Sequence, residues 1–220
     1  MTPSKALLCL HGSGTSASIF RMQLAKIRLA LKEEFEFVFM DAPYPAPAGP
    51  GVLPTFASAA PFYGWFGGSG ATFENRLDTI NASVRAAVED WESPRKTGES
   101  DSPARIVGLL AFSEGALVAT MLLWQQQLGR LPWLPPMRFA VLICCFFPDQ
   151  AAAYMMANDE ATTSGQERTL IRVPTLHLHG RWDFSLARAR KLVSEHYKPG
   201  VATVFKFEGG CYSQISNMIS

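Results

Sequence analysis

One segment, residues 105–123, constrains the fold of this chain more than any other. It reads RIVGLLAFSEGALVATMLL, in which an apolar run typical of a buried strand stops at Ser113 and a second run at helical spacing begins almost at once. Small residues at Ala111, Gly115 and Ala116 allow a sharp turn between the two. This pattern indicates a nucleophile elbow, which exposes a serine hydroxyl at the N-terminus of a helix. We therefore predict acyl chemistry at Ser113, with an ordinary N-cap serine as the alternative.

The rest of the chain alternates between apolar strand-like runs and helical runs. This alternation predicts an α/β fold, with a mostly parallel central sheet covered by helices on both faces, in a single domain over residues 1–220. A long loop rich in proline, glycine and aromatic residues spans 44–70, and its aromatic content argues against disorder. The predicted strands are 6–10, 36–40, 138–147, 175–179 and 202–207 besides the one before Ser113, and the predicted helices are 19–31, 73–91 and 186–197. A polar surface linker is expected at 93–102 and a mobile excursion at 149–166.

Composition excludes several classes of function. The chain has 220 residues, 48% of them apolar, and a formal net charge of +1 without a basic cluster, so neither nucleic acid nor an anionic membrane surface is an expected partner. The apolar run before His11 is too short for a signal peptide, which favours a cytoplasmic protein. The four cysteines match no zinc-binding spacing. We therefore expect no metal and no cofactor.

Two further turns could complete a site around Ser113. The sequence His-Gly-Ser-Gly at 11–14 follows the first strand, and its glycines would let the backbone N–H of Ser13, with that of Glu114, converge on an oxyanion; a flexible glycine turn is the alternative. Asp183 follows a later strand, in the order nucleophile–acid–base that α/β-hydrolases use. Asp149 competes for the role of the acid, and we prefer Asp183.

The expected general base is missing from the sequence. A histidine should follow the last strand, but that place holds Cys211. Among the four histidines, His11 belongs to the oxyanion turn, while two others, at 177 and 179, lie on or at the end of a strand. His196 falls in a predicted helix, where we expect a surface position.

Together these residues resemble the fungal family of serine hydrolases, which are small α/β-hydrolases that include polyketide-releasing thioesterases. The resemblance implies Ser113 as the nucleophile, Asp183 as the acid, and an esterase or thioesterase fold without a large lid domain. It spans nearly the whole chain and rests on the segments LCLHGSG at 8–14, FVFMDAP at 37–43, LAFSEGA at 110–116, LHLHGRWD at 176–183 and FEGG at 207–210.

The chain departs from the family pattern around the nucleophile and at the base. Where the family has Gly-Phe-Ser-Gln-Gly, this chain has Ala111 and Glu114, and the glutamate adds a carboxylate beside an oxyanion donor. Where the family has Gly-Gly-His, the histidine is replaced by Cys211. A thiol is a poor general base, because its pKa is about 8.5 and it has no second N–H for Asp183 to orient.

These departures leave several functions open. The resemblance favours an altered triad of Ser113, Asp183 and Cys211 that acts on an acyl ester or thioester, polyketide-like, either free or bound to a carrier protein, by acyl transfer or hydrolysis. The alternatives are a non-hydrolytic cyclase or rearrangement enzyme in the same pocket, and a pseudoenzyme that only binds. We expect four side chains at the 11–14 turn and in the 44–70 loop to contact the substrate: His11, Tyr63, Trp65 and Phe66.

Overall fold

A six-stranded parallel sheet forms the centre of the protein. The computed structural model describes residues 3–98, 103–163 and 165–210. The strands of this sheet are β1 (Lys5–Leu10), β2 (Phe35–Met40), β5 (Arg105–Phe112), β6 (Phe139–Ile143), β7 (Thr175–Gly180) and β8 (Ala202–Phe207). Their order in space is β2-β1-β5-β6-β7-β8, and each neighbouring pair is parallel. The carboxyl ends of all six strands therefore lie at one edge of the sheet, where ligands bind in open α/β sheets.

Helices cover both faces of this sheet. They are α1 (Ala17–Gln23), α2 (Ala25–Ala30), α3 (Phe73–Lys96), α4 (Glu114–Gln127), α5 (Asp149–Ala157), α6 (Glu160–Thr163) and α7 (Leu186–His196). The larger core cluster joins α3 and α4 to one face of the sheet, and α1 packs on the other face through Phe20. Helix α4 is buried from Gly115 to Gln125, as expected for the helix at the centre of such a fold. The architecture is that of an α/β-hydrolase, as the sequence predicted.

The 44–70 loop is ordered and folds back on the first turn of the chain. Two short antiparallel strands, β3 (Tyr44–Ala46) and β4 (Phe62–Gly64), lie near its ends. The N–H of Gly49 donates to the carbonyl of Gly14 (2.8 Å), and the N–H of Gly14 donates to the carbonyl of Tyr63 (2.8 Å). The prediction that this loop is not disordered is confirmed.

Several predicted boundaries were wrong. The helix predicted at 19–31 is divided in two at Leu24. Helix α3 continues to Lys96, because Arg95 stacks on the Trp91 ring (3.6 Å to its centroid) and pairs with Glu36 (2.8 Å), so the first part of the expected polar linker is helical. Strand β6 stops at Ile143, well before 147. The excursion predicted at 149–166 consists largely of α5 and α6.

Within residues 3–98, 103–163 and 165–210, no helix is both long and apolar enough to cross a bilayer.

We predict that Gly115→Ala destabilises the protein. A Cβ at this position would lie 2.4 Å from the carbonyl oxygens of both Leu10 and His11, so the new methyl group would meet backbone that cannot rotate away. Overpacking of this kind costs roughly 1–3 kcal/mol, and urea unfolding followed by circular dichroism would measure it. The control is Gly64→Ala, whose Cβ would make only ordinary contacts at 3.5 Å. Equal stability of the two variants would contradict the prediction.

Candidate active site

Ser113 lies at the turn between β5 and α4 in a strained backbone conformation. Its φ of 53° and ψ of −115° fall in a region that residues other than glycine rarely adopt, and such strain is kept where the surroundings enforce it. The N–H of Ser113 donates to the carbonyl of Ile143 (2.9 Å), and its carbonyl accepts from the N–H of Phe146 (3.3 Å). Although Ser113 precedes the helix, its side chain makes no capping hydrogen bond within the described part of the chain. The N-cap alternative therefore does not account for its hydroxyl.

The glycine turn after β1 packs directly against Ser113. A Cβ at Gly12 would lie 3.4 Å from the Cβ of Ser113 and 2.7 Å from the ring of Phe112. This close approach is possible only because Gly12 has no side chain. The turn predicted to form an oxyanion hole is thus adjacent to the predicted nucleophile.

Two backbone N–H groups beside Ser113 are available to a ligand. Among the described residues, neither Ser13 nor Glu114 uses its backbone N–H in a hydrogen bond. Glu114 is the first residue of α4, where the helix leaves N–H groups unpaired and its dipole favours negative charge. These are the two donors expected from the sequence, and their role as an oxyanion hole is a proposal developed below.

Asp183 is held in a fixed orientation just past the carboxyl end of β7. Its side chain is buried, and its Oδ1 accepts hydrogen bonds from the N–H of Ser185 (2.8 Å) and from its hydroxyl (2.9 Å). The competing acid, Asp149, starts α5 with a side chain 81% exposed and lies 4.0 Å from Arg188. The preference for Asp183 therefore gains structural support, although its role stays a prediction.

The chain leaving β8 returns to the loop that carries Asp183. The N–H of Trp182 donates to the carbonyl of Gly209 (3.0 Å), and a Cβ at Gly210 would lie 3.2 Å from the carbonyl oxygen of Trp182. The next residue in the sequence is Cys211, which lies outside the described residues.

His11 is a structural residue of the turn. Its side chain is fully buried, and its Nε2 accepts the N–H of Ala42 (3.0 Å), so the proton of the neutral ring is on Nδ1. Nδ1 lies 2.7 Å from the carbonyl of Gly12 and 3.0 Å from the hydroxyl of Thr15. We expected His11 to contact substrate. Because both ring nitrogens are engaged and no surface is exposed, it supports the turn instead.

Trp65 also departs from its predicted role. Its side chain is fully buried, and its indole N–H donates to the carbonyl of His11 (2.7 Å), so it holds the loop against the turn rather than facing a ligand. Tyr63 and Phe66 keep partly exposed side chains, and Phe66 stacks on Phe73 at 5.1 Å. For these two residues substrate contact remains a prediction.

The other histidines are buried in the region of β7 and α7. His177 and His179 point into the core from β7, and His179 has no hydrogen-bond partner for either ring nitrogen among the described residues. The surface position predicted for His196 was wrong, because its ring is 5% exposed and packs on Phe147 at 5.1 Å. Burial lowers the pKa of His177 to about 3 and that of His196 to about 4. Such rings are weak bases at neutral pH.

Two side chains at the site have structural roles that were not predicted from the sequence. Ser185 orients Asp183, and the pattern Asp-x-Ser after a strand is the signal that could have revealed it, since short polar side chains bond the backbone two residues away. The side chain of Glu114 accepts the N–H of Trp65 (2.8 Å) and so faces inward to the aromatic loop. Nothing in the local sequence of Glu114 indicates that contact.

The fold and the strained serine define an α/β-hydrolase-type enzyme of the esterase and thioesterase class. The sequence profile of the serine hydrolase (FSH1) family matches residues 1–212, and the chain belongs to that family. It is 48% identical over 220 positions to the dihydromonacolin L-[lovastatin nonaketide synthase] thioesterase of Aspergillus terreus, covering 93% of this chain and 84% of that protein. It is also 48% identical over 215 positions to esterase mlcF of Penicillium citrinum, covering 94% and 82%.

A solved structure supports the fold at low sequence identity. Acyl-protein thioesterase 2 of Zea mays superposes with a TM-score of 0.56 at 14% identity, covering 100% of this chain and 96% of that one. The resemblance to fungal serine hydrolases stated from the motifs is therefore confirmed at the level of the family and the fold.

We predict that the protein loses stability as the pH falls from about 6.5. Burial is the main cause that lowers the pKa of all four histidines, so the folded chain binds fewer protons than the unfolded chain, in which histidine titrates near 6.5. The free energy of unfolding then drops by up to about 1.4 kcal/mol per pH unit for each histidine. Glu114 opposes this trend, because burial raises its pKa.

Urea unfolding at pH 7.5, 6 and 5 would measure that dependence. His196→Gln is the control and should reduce the slope by about one proton, because its contribution persists down to a folded pKa of about 4. A free energy of unfolding that does not change between pH 7 and pH 5 would contradict the prediction.

Proposed function

We propose that this protein is a thioesterase or acyltransferase that takes a polyketide-like acyl group onto Ser113. The observation that carries the proposal is the serine at φ 53°, together with the neighbouring backbone N–H groups of Ser13 and Glu114, which have no hydrogen-bond partner among the described residues. Such donors, fixed before reaction, stabilise the charge that develops on a carbonyl oxygen during acyl transfer. The relatives named as a lovastatin nonaketide synthase thioesterase and an esterase support this substrate class.

The first step transfers the acyl group to the serine. The Ser113 oxygen bonds to the carbonyl carbon, the hydroxyl proton passes to a base, and the tetrahedral intermediate expels the thiolate of the substrate. The base is the Cys211 thiolate or water, and Asp183 completes the altered triad. Because a thiolate leaves readily, this step needs less general acid–base help than the cleavage of an ordinary ester.

The second step depends on which acceptor reaches the acyl-enzyme. Water would give hydrolysis, and a bound hydroxyl or amine would give acyl transfer. In each case the acceptor bonds to the carbonyl carbon, the bond between the carbonyl carbon and the Ser113 oxygen breaks, and the proton of the acceptor passes through the base to the Ser113 oxygen. Loss of imidazole slows proton removal from every acceptor, whereas a bound acceptor keeps the advantage of proximity. We therefore favour transfer to a bound acceptor, which can include a hydroxyl of the acyl chain itself.

Substitution of the nucleophile tests the first step. We predict that a fluorophosphonate probe labels the wild type and that Ser113→Ala abolishes both this labelling and turnover of a medium-chain acyl N-acetylcysteamine thioester. Ser194→Ala, which removes an exposed hydroxyl on α7, is the control and should label normally. Peptide mass mapping of the acyl-enzyme should place the acyl group on Ser113. An acyl group on Cys211, or a wild type that is neither labelled nor acylated, would refute this mechanism.

Restoring an imidazole tests the base. We predict that Cys211→His raises the hydrolysis rate by roughly 10²–10⁴-fold, the usual contribution of a general base. Adding Asp183→Asn to Cys211→His should remove most of this gain, because the acid orients the imidazole. Cys211→Ala is the control for the thiol itself and should lower the wild-type rate. If Cys211→Ala leaves native activity unchanged, the altered triad is wrong.

A further inference from the structure

The Glu114 side chain joins helix α4 to the aromatic segment at 63–66. Its Oε2 accepts the N–H of Trp65 (2.8 Å). Burial raises the pKa of Glu114, and the polar groups nearby on Trp65, Ser13 and Phe66 act in the opposite direction by favouring the carboxylate. A half-buried acid thus lies among donors that favour its charged form.

The aromatic segment that Glu114 contacts is itself fastened to the glycine turn. The N–H of Tyr63 donates to the carbonyl of Thr15 (2.7 Å), and the carbonyl of Tyr63 accepts from Gly14 (2.8 Å). The indole of Trp65 adds a bond to the carbonyl of His11 (2.7 Å). Residues 63–65 and 11–15 therefore form one hydrogen-bonded unit, which carries the N–H of Ser13.

The carboxylate and the hydroxyl of Ser13 both lie beside the aromatic segment. A Cβ at Gly64 would be 3.5 Å from the Oε2 of Glu114 and 3.5 Å from the Oγ of Ser13, which is ordinary contact distance for both. The carboxylate therefore lies next to the residue that precedes the Trp65 amide and on the same side as Ser13. The contact is part of the folded site rather than a chance position of a surface side chain.

We propose that the carboxylate of Glu114 is a positioning residue that fixes the Ser13 N–H relative to Ser113. Glu114 begins α4, immediately after the nucleophile, so its side chain ties the helix to the unit that carries the other oxyanion donor. This inference rests on the proposed acyl chemistry only for its effect on rate. The hydrogen bond between Glu114 and the Trp65 N–H can be measured without any substrate.

Two substitutions of Glu114 distinguish its role as a hydrogen-bond acceptor from the effect of its negative charge. Alanine removes the acceptor of the Trp65 N–H. Glutamine keeps an oxygen that can accept this N–H. Glu114→Gln should therefore keep the anchor while it removes the negative charge.

Steady-state kinetics with the acyl N-acetylcysteamine thioester test the effect on rate. Glu114→Ala should lower kcat by about 10–100-fold with KM changed less than threefold, because displacement by about 1 Å costs on the order of 100-fold. Glu114→Gln should restore kcat to within about threefold of the wild type. The control is Glu74→Ala, which removes an exposed first-turn acid from α3 and should keep full activity.

Hydrogen exchange gives a second readout that is independent of turnover. The amide of Trp65 should exchange at least tenfold faster in Glu114→Ala than in the wild type, and at nearly the wild-type rate in Glu114→Gln. A wild type that does not react with fluorophosphonate defeats the proposed function but leaves this measurement valid. Unchanged exchange and kcat in Glu114→Ala, or equal loss in both variants, would overturn the positioning role.

Discussion

The backbone of Ser113 is the constraint on which the site depends. A residue at φ 53° and ψ −115° is held only if its neighbours leave no alternative. Here β6, the adjacent strand, supplies the carbonyl of Ile143 that takes the Ser113 N–H, and the glycine at 115 lets α4 approach the carbonyls at the end of β1. The position of the hydroxyl therefore depends on three strands and one helix, and a change in any of them alters the geometry of the nucleophile.

The same packing leaves some side chains near Ser113 fully buried and others partly exposed to solvent. The rings of His11 and Trp65 are hydrogen-bonded to backbone groups beside the glycine turn, and neither side chain has exposed surface. Their ring nitrogens serve backbone groups that burial would otherwise leave unpaired, at a cost of about 1–3 kcal/mol each. Tyr63 and Phe66 stay partly exposed, and substrate contact by these two side chains remains a prediction. The site thus has its aromatic support in the interior and its exposed aromatic residues at the edge.

Much of the fold could be predicted from the sequence because its signals are local. Apolar runs ending in Gly, Ser or Asp located the strands of the sheet, and the run around Ser113 located the elbow. The direction of a side chain is a tertiary property, and there the sequence failed: it could not distinguish an aromatic residue that lines a pocket from one that supports it, and it placed His196 on the surface. The contact between the Glu114 side chain and the Trp65 N–H could not be predicted from the sequence either, because the two residues are 49 positions apart.

The buried histidines limit the chemistry at Ser113, because the sequence has a cysteine where the family has the histidine that serves as the general base. Each of the four rings has a lowered pKa because of burial, so these imidazoles do not readily gain a proton in the folded protein. A thioester partly compensates, since its thiolate leaves with little proton assistance, whereas water must lose a proton to attack the serine ester. The first half-reaction is therefore less sensitive than the second to the loss of imidazole. In the proposed mechanism the acyl-enzyme would therefore persist until a bound nucleophile reaches it, and the acceptor, rather than the attack of Ser113, would determine the product.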